Sequence, residues 1–286
     1  MEINQIEARS IELSMEYVGR QDWEQWFLFT ADHHFDSTHC DRELLEKHLK
    51  QAKERDAKVF VFGDLFDVMQ GKNDRRGSKG DLREEYRGGN YYDLVVSDAA
   101  KFYGKYSDQL CLLTYGNHET AITKHQETDV LQRLADLINF TNNSSVAVGA
   151  YSGWVTLRFH VDSSRVRRFR LFYHHGSGGG GPVTKGVIQT NRRSTYIPDA
   201  DFIVTGHIHE AWHLETVQER LNNVNVPYLS AQHHIQLPTY KEEYLDGMGW
   251  HTQRGAPPKP LGGFWVRFFF SGRPTQQICF EVIRAN

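Results

Sequence analysis

An α/β protein with a second, β-rich part is the fold class this sequence predicts, on three observations. Between Trp26 and Phe140, apolar runs of strand length alternate three times with stretches of helical spacing. One of those runs, Val59 to Phe62, has no polar alternation, as expected of a strand covered on both faces. From Val146 onward β-rich runs follow one another without a helical signal between them, as in antiparallel strands of a further sheet. The chain is organised around Val59 to Asp67, Val-Phe-Val-Phe-Gly-Asp-Leu-Phe-Asp, where the apolar run stops at a glycine and two carboxylates follow. Ligands bind beyond the carboxyl ends of strands in open α/β sheets, which is where Asp64 and Asp67 would stand.

In chain order, Ile11 to Val18 alternates weakly and predicts a strand or hairpin leading into the core. Trp26 to Ala31 is a strand that ends at Asp32-His33-His34. Leu44, Leu45, Leu49 and Ala52 recur at helical spacing, with Asp41 placed to cap or charge the first turn. After Asp67, residues Gly71 to Asp93 lack periodicity and predict a long excursion. It holds Lys72, Arg75, Arg76, Lys79, Arg83 and Arg87, the rings of Tyr86, Tyr91 and Tyr92, and the acids Asp74, Asp81, Glu84, Glu85 and Asp93. Leu94 to Tyr106 reads as a helix. Gln109 to Tyr115 is a strand ending at Gly116-Asn117-His118-Glu119, and Val130 to Phe140 a helix with Leu131, Leu134, Leu137 and Ile138 on one face. Val146 to Val161 and Val166 to Tyr173 are strands, the latter running into His174-His175-Gly176 and then a glycine-rich polar stretch with Lys185, Arg192 and Arg193. Asp201 to Thr205 ends at Gly206-His207-Ile208-His209. Pro227 to Ser230, Phe264 to Phe270 and Gln276 to Ile283 complete the strands, around a Gly- and Pro-rich loop from Asp246 to Gly263. One domain over residues 1–286, with a substrate-side excursion at 71–93, is the expected organisation.

Composition narrows the function classes. Lys and Arg number 33 against 36 Asp and Glu, so there is no global polycation to hold nucleic acid and any anion site must be local. Cys40, Cys111 and Cys279 are scattered and odd in number, which argues against a disulfide framework and for a reducing compartment. No run approaches the length of a membrane span, and the N-terminus has neither a basic nor an apolar leader region, so a cytoplasmic protein without a membrane partner is expected. Fifteen histidines, several in doublets or one residue apart, make metal binding a serious expectation.

Five β runs end in small sets of oxygen and imidazole ligands: Asp32 and His34; Asp64 and Asp67; Asn117 and His118; His175; His207 and His209. Any one of these sets could be turn or loop chemistry, but five at five strand ends are hard to treat as coincidence. Carboxylate, amide oxygen and imidazole suit borderline divalent ions such as Mn, Fe or Zn, whereas closed structural zinc sites prefer thiolates. The ligands are too many for one ion, and a shared carboxylate would hold two ions about 3.5 to 4 Å apart. His33 and His174 stand next to His34 and His175, and either neighbour could be the ligand if the local register differs.

These blocks, Asp-x-His, Gly-Asp-x-x-Asp, Gly-Asn-His-Glu, His and Gly-His-x-His in this order from residue 32 to residue 209, resemble the signature of the calcineurin-like metallophosphoesterases. The resemblance implies a four-layer α/β/β/α sandwich of two mixed sheets flanked by helices, with two metals at the strand ends. It implies that Asp32, His34 and His209 bind one ion, that Asn117, His175 and His207 bind the other, and that Asp64 bridges them. Asp67 would support the site from behind, and His118 would face the substrate as general acid. The implied activity is phosphoester hydrolysis by a metal-bridging hydroxide, with Mn the ion expected to support it in vitro. Val68 and Ala121 stand where the Ser/Thr protein phosphatases carry arginines, which favours a phosphodiesterase acting on a nucleotide or nucleic acid, an exonuclease included. The alternatives are a phosphomonoesterase or protein phosphatase, and a non-catalytic binding protein on the same fold. Asn117, His118, Arg192 and Arg193 are the expected substrate contacts.

Overall fold

The computed structural model describes residues 2–16, 18–69, 82–179, 181, 183–272 and 275–286. Strands β3 (Glu24–Thr30), β4 (Lys58–Phe62), β5 (Leu110–Thr114) and β6 (Ala147–Gly149) lie parallel, and β12 (Gly263–Phe270) and β13 (Ile278–Ala285) extend them antiparallel into a six-stranded sheet. The second sheet has seven strands in the order β1 (Glu2–Glu7), β2 (Ser10–Met15), β7 (Ser152–His160), β8 (Val166–His174), β9 (Phe202–Thr205), β11 (Pro227–Gln236) and β10 (Trp212–Leu221). It too is mixed, since β2 and β7, β8 and β9, and β9 and β11 are parallel and the other neighbours antiparallel.

The alternation of side chains along a strand explains how the layers stack. On β4, Val59 and Val61 face the helices α1 (Arg42–Glu54), α2 (Tyr91–Tyr103) and α4 (Val130–Asn142), while Phe60 and Phe62 face the other sheet. All four are fully buried, which is why this run shows no polar alternation. Between the sheets, Phe27, Phe29, Phe60 and Phe62 meet Val155, Leu157, Leu171, Tyr173 and Phe202, with the Phe29 and Phe60 rings stacked at 5.4 Å. Helix α5 (Val187–Tyr196) lies on the outer side of the seven-stranded sheet, next to the small cluster of Phe172, Ala200 and Ile203. The result is the four-layer α/β/β/α sandwich of two mixed sheets that the resemblance implied.

Several local expectations need correction. Val146 to Val161 is divided between the sheets, because Tyr151 marks a break after which the chain leaves β6 and enters β7. A helix, α3 (Asn117–Gln126), follows β5 directly, and its polar sequence hid it. Strand β10 was also unforeseen, because its charged residues mask the alternation. Helix α2 starts at Tyr91, so the excursion after Asp67 is shorter than expected, and residues 84–86 form a 3-10 turn. Lys72, Asp74, Arg75, Arg76, Lys79 and Asp81 lie outside the described residues. The polar stretch after Gly176 is helical where it carries Arg192 and Arg193, not a loop. No helix among the described residues is long and apolar enough to cross a membrane.

Candidate metal centre

The strand ends bring the predicted side chains to one place. Asp32, His34 and His209 form one cluster, Asp64, His175 and His207 a second, and His34, Asp64 and His118 a third that joins them. In the first, Asp32 Oδ1 lies 3.3 Å from His209 Nε2 and 4.0 Å from His34 Nε2, while the two imidazole nitrogens are 3.4 Å apart. In the second, His175 Nε2 lies 3.0 Å from Asp64 Oδ2 and 3.2 Å from Asn117 Oδ1. Asp32 Oδ1 is also 3.9 Å from His175 Nε2, so the clusters are contiguous.

Convergence of so many side chains requires the backbone to turn sharply. Asp32, His34, Asp64, His207 and His209 take left-handed φ values of 53°, 46°, 50°, 72° and 54°, a region that L-residues with a side chain visit at a cost. Local hydrogen bonds hold them there. The Asp32 carbonyl accepts from Thr239 Oγ1 at 2.7 Å and Tyr240 N at 3.0 Å, and its Oδ2 accepts from His207 N at 2.8 Å. Two glycines permit the close packing: a side chain at Gly63 would strike the His175 ring, and one at Gly116 would strike the Asp64 carboxylate.

Hydrogen bonds to the far ring nitrogens fix how the imidazoles point. His175 Nδ1 lies 2.9 Å from the Phe62 carbonyl, and His118 Nδ1 2.6 Å from the Asp67 carbonyl. Each Nδ1 therefore carries the proton, and each Nε2 faces the cluster. His34 Nδ1 lies 2.9 Å from Asp67 Oδ1. His34 and His175 face the clusters, whereas His33 turns into the core, 2.7 Å from the Tyr103 hydroxyl, and His174 Nδ1 accepts from Gly176 N at 2.9 Å. Arg193 is buried on the sheet side of α5, while Arg192 is exposed on its outer side.

Three supporting residues were not anticipated from the sequence. Asp36 accepts from Asp67 N at 2.6 Å, Val68 N at 2.9 Å and the Tyr91 hydroxyl at 2.5 Å. Glu119 accepts from Gly116 N and Phe66 N at 2.9 Å each and from Asp64 N at 3.2 Å. Lys241 Nζ donates to Asp67 Oδ1 at 3.0 Å. Glu119 stands inside a motif block, so its position was a usable signal, whereas Asp36 lies two residues beyond the first block. Nothing marked Lys241.

The electrostatics are those of a cation site. Asp32, Asp36, Asp64, Asp67 and Glu119 are all buried, and Lys241 is the one lysine whose charge reaches them among the described residues. Burial pushes the carboxyls up, but His175 and His118 bring Asp64 well below the usual range, and Lys241 with His34 does the same for Asp67. Burial pushes Glu119 up to about 7, helped by the charge of Asp64, and Asp36 is raised by burial and by Asp67. The imidazoles serve as counter-charge: burial opposes it, yet Asp64 lifts His175 to about 10, and Asp64 and Asp67 raise His118. Asp32 Oδ1, fully buried and ringed by three imidazole nitrogens, has no hydrogen-bond partner. An orphaned carboxylate oxygen facing several imidazole nitrogens fits divalent cations with oxygen and nitrogen ligands.

No protein-family model matches the chain, and no curated protein matches it. Among solved structures it is similar to GAP50, the anchor in the inner membrane complex of Plasmodium, at 10% identity and a TM-score of 0.43, over 92% of this chain and 85% of that one. It is similar to a conserved uncharacterised protein and predicted phosphoesterase of Streptococcus pneumoniae at 10% identity and a TM-score of 0.30, over 86% and 83% of the two chains. Wild-type Vps29 of Entamoeba histolytica, complexed with zinc, is similar at 8% identity and a TM-score of 0.33, over 92% and 100%.

Proposed function

We propose that this chain, which has the calcineurin-like metallophosphoesterase fold and a candidate dinuclear centre, is a metal-dependent phosphodiesterase acting on a nucleotide or nucleic acid. The observation that carries the reading is the partnerless Asp32 Oδ1 in its ring of imidazole nitrogens, joined through Asp64 to a second cluster. Asp32, His34 and His209 would hold one ion, Asn117, His175 and His207 the other, with Asp64 between them. Two bound divalent cations, with Mn expected to serve in vitro, supply a hydrolytic nucleophile at neutral pH and positive charge for a phosphoryl group.

The chain's own residues supply the remainder. His118 holds a proton at Nδ1 against the Asp67 carbonyl, and its Nε2 lies 3.8 Å from Asp64 Oδ2 at the edge of the cluster. The nearby carboxylates raise its pKa, which suits an imidazolium that gives its Nε2 proton to a leaving alkoxide. Asp67 acts by position: it orients His34 through Oδ1 and His118 through its carbonyl. The N-terminus of α3 serves the carboxylates instead, with His118 N donating to Asp64 Oδ1 at 3.0 Å and Gly116 N to Glu119 at 2.9 Å. Arg192 is the exposed cation proposed to meet a longer substrate, whereas Arg193, expected from the sequence to do the same, is buried on the sheet side of α5 and is not available for it. Three cysteines without disulfide partners are in keeping with a cytoplasmic setting.

Reconstitution with excess Mn, metal analysis and turnover of bis-nitrophenyl phosphate test the reading together. Two ions per chain and hydrolysis are expected. Asp64→Asn should abolish most of the activity while leaving the fold intact, because a neutral amide bridges poorly. Less than one ion per chain after reconstitution overturns the proposal.

A further inference from the structure

Tyr151 stands where the chain leaves one sheet for the other, between the end of β6 at Gly149 and the start of β7 at Ser152. It belongs to none of the five ligand blocks, yet it grips the turn after β8 that carries His175. Its carbonyl accepts from His175 N at 3.0 Å, and its hydroxyl donates to the Gly176 carbonyl at 2.7 Å. Its ring meets the His175 ring edge-on, with centroids 5.5 Å apart and planes at 84°, and the His174 ring at 5.3 Å and 84°. Every hydrogen bond and ring contact of Tyr151 among the described residues goes to residues 174–176.

What the hydroxyl holds is the peptide on which His207 leans. Gly176 has φ 133°, a conformation that favours glycine, and a Cβ there would lie 2.6 Å from His207 Cβ and 2.9 Å from the Gly206 carbonyl oxygen. Gly176 is therefore packed directly against the backbone that carries His207, and a shift of its carbonyl is passed to that segment. The His175 and His207 rings meet at 5.3 Å and 70°, and Gly206 N donates to the His175 carbonyl at 2.7 Å, so the two imidazoles form one packed unit. A phenylalanine at position 151 would keep the ring and the main-chain bond to His175. Only the bond to the Gly176 carbonyl requires a tyrosine.

We propose that Tyr151 is a positioning residue for the second ion of the candidate centre, its hydroxyl fixing the Gly176 carbonyl and thereby the place of His207 beside His175 and Asp64. Given the two-ion reading on which this rests, Tyr151 sets the affinity of the ion held by Asn117, His175 and His207 and not that of the ion held by Asp32, His34 and His209. The residues of the first ion have their own supports, since Thr239 and Tyr240 hold the Asp32 carbonyl and Asp67 lies against His34. Groups that orient a ligating imidazole from behind ordinarily cost about 10–100-fold in metal affinity when removed. Tyr151 acts on His207 through one intervening peptide, so the lower end, about tenfold, is expected.

Stepwise chelation of the Mn-loaded full chain, followed by electron paramagnetic resonance, reads the two ions apart, because a Mn pair gives an exchange-coupled spectrum and a lone Mn the spectrum of an isolated ion. In Tyr151→Phe the coupled spectrum should give way to the isolated one at a chelator concentration about tenfold below that of the wild type, while the remaining ion leaves as it does in the wild type. In a His207→Ala chain, which retains the residues of the first ion, adding Tyr151→Phe should leave the release of that ion unchanged. Unchanged release from Tyr151→Phe, an equal weakening of both ions, or an effect that persists in the His207→Ala chain overturns the proposal and leaves the two-ion reading standing. A wild-type chain that never shows the coupled spectrum overturns both.

Discussion

Replacing Asp36 with alanine takes the acceptor away from three donors at once. Asp67 N, Val68 N and the Tyr91 hydroxyl converge on this carboxylate at 2.6, 2.9 and 2.5 Å, and the side chain is 2% exposed. A hydrogen bond to a charged group is worth about 1.5–3 kcal/mol net, so three are worth at least about 4 kcal/mol. Burial of the carboxylate, and then the neighbouring charge of Asp67, work against Asp36 and reduce this, leaving about 3 kcal/mol. Urea unfolding of the metal-free protein should show that loss, and Tm should fall by about 5 °C for a chain of this size. Asp36→Asn should recover little, because the amide has one oxygen and turns a donor toward donors, whereas Tyr91→Phe should cost less than either. The loosened Asp67 should also free the His34 ring and weaken the ion held there by about 10–100-fold. A loss under about 1 kcal/mol for Asp36→Ala, or full recovery with asparagine, would refute the claim that this carboxylate fixes the loop after β4.

Three further outcomes follow from the same geometry. His118→Asn should lower turnover by about 10²–10⁴ on diesters with a poor leaving group and far less on nitrophenyl diesters, and equal losses on both would assign His118 to metal or phosphate binding instead. His234 is buried beside Arg193, and burial, then that charge, bring its pKa to about 4. Since this lies below the unfolded value, the unfolded chain takes up the proton first, and stability present above pH 6.5 is lost as pH falls toward 4. His234→Gln should therefore flatten the stability profile by about 2 kcal/mol between pH 7.5 and pH 5, and an unchanged slope in urea titrations would contradict it. Arg192→Ala should raise KM several-fold for an oligonucleotide while leaving bis-nitrophenyl phosphate unaffected, and equal effects on both substrates would place the residue in support of the site itself.

The parts of the site that could be read from the sequence were those that sit on strand ends. Each ligand pair follows a β run, and a run such as Val59 to Phe62 declares its end by the change from apolar to polar residues, so the position of Asp64 follows from the position of the strand. Lys241 and Thr239 could not be read in this way, because they arrive at Asp67 and Asp32 after a return of the chain across more than one strand, and no local pattern encodes that contact. The same distinction holds for the fold. Helix α1 advertised its cap, and Asp41 does accept from Leu44 N at 2.9 Å. Helix α3 has only Glu119 and Ile122 buried, so it offers no apolar stripe to detect and exists because Gly116 and Glu119 fix its start against Asp64. Strand β10 buries no residue, and pairing rather than side-chain burial holds it in place.

The strain at the candidate ligand positions explains why the strands beneath them are so apolar. Five left-handed residues with side chains, at about 1–2 kcal/mol each, amount to about 5–10 kcal/mol, comparable with the whole stability of an ordinary domain. Something rigid must hold those turns when ions are absent and buried carboxylates repel one another. Phe27, Phe29, Phe60 and Phe62 lie on β3 and β4, the two strands that deliver Asp32 and Asp64, and all four are buried between the sheets. At about 1.5–3 kcal/mol each, their burial offsets the strain at the strand ends. On the helix-facing side of the same strands Leu28, Val59 and Val61 are fully buried as well and add to this, which a strand open to water on that face could not match. Covering both faces therefore builds the sandwich and also lets its strand ends carry a conformation that the same residues would abandon elsewhere.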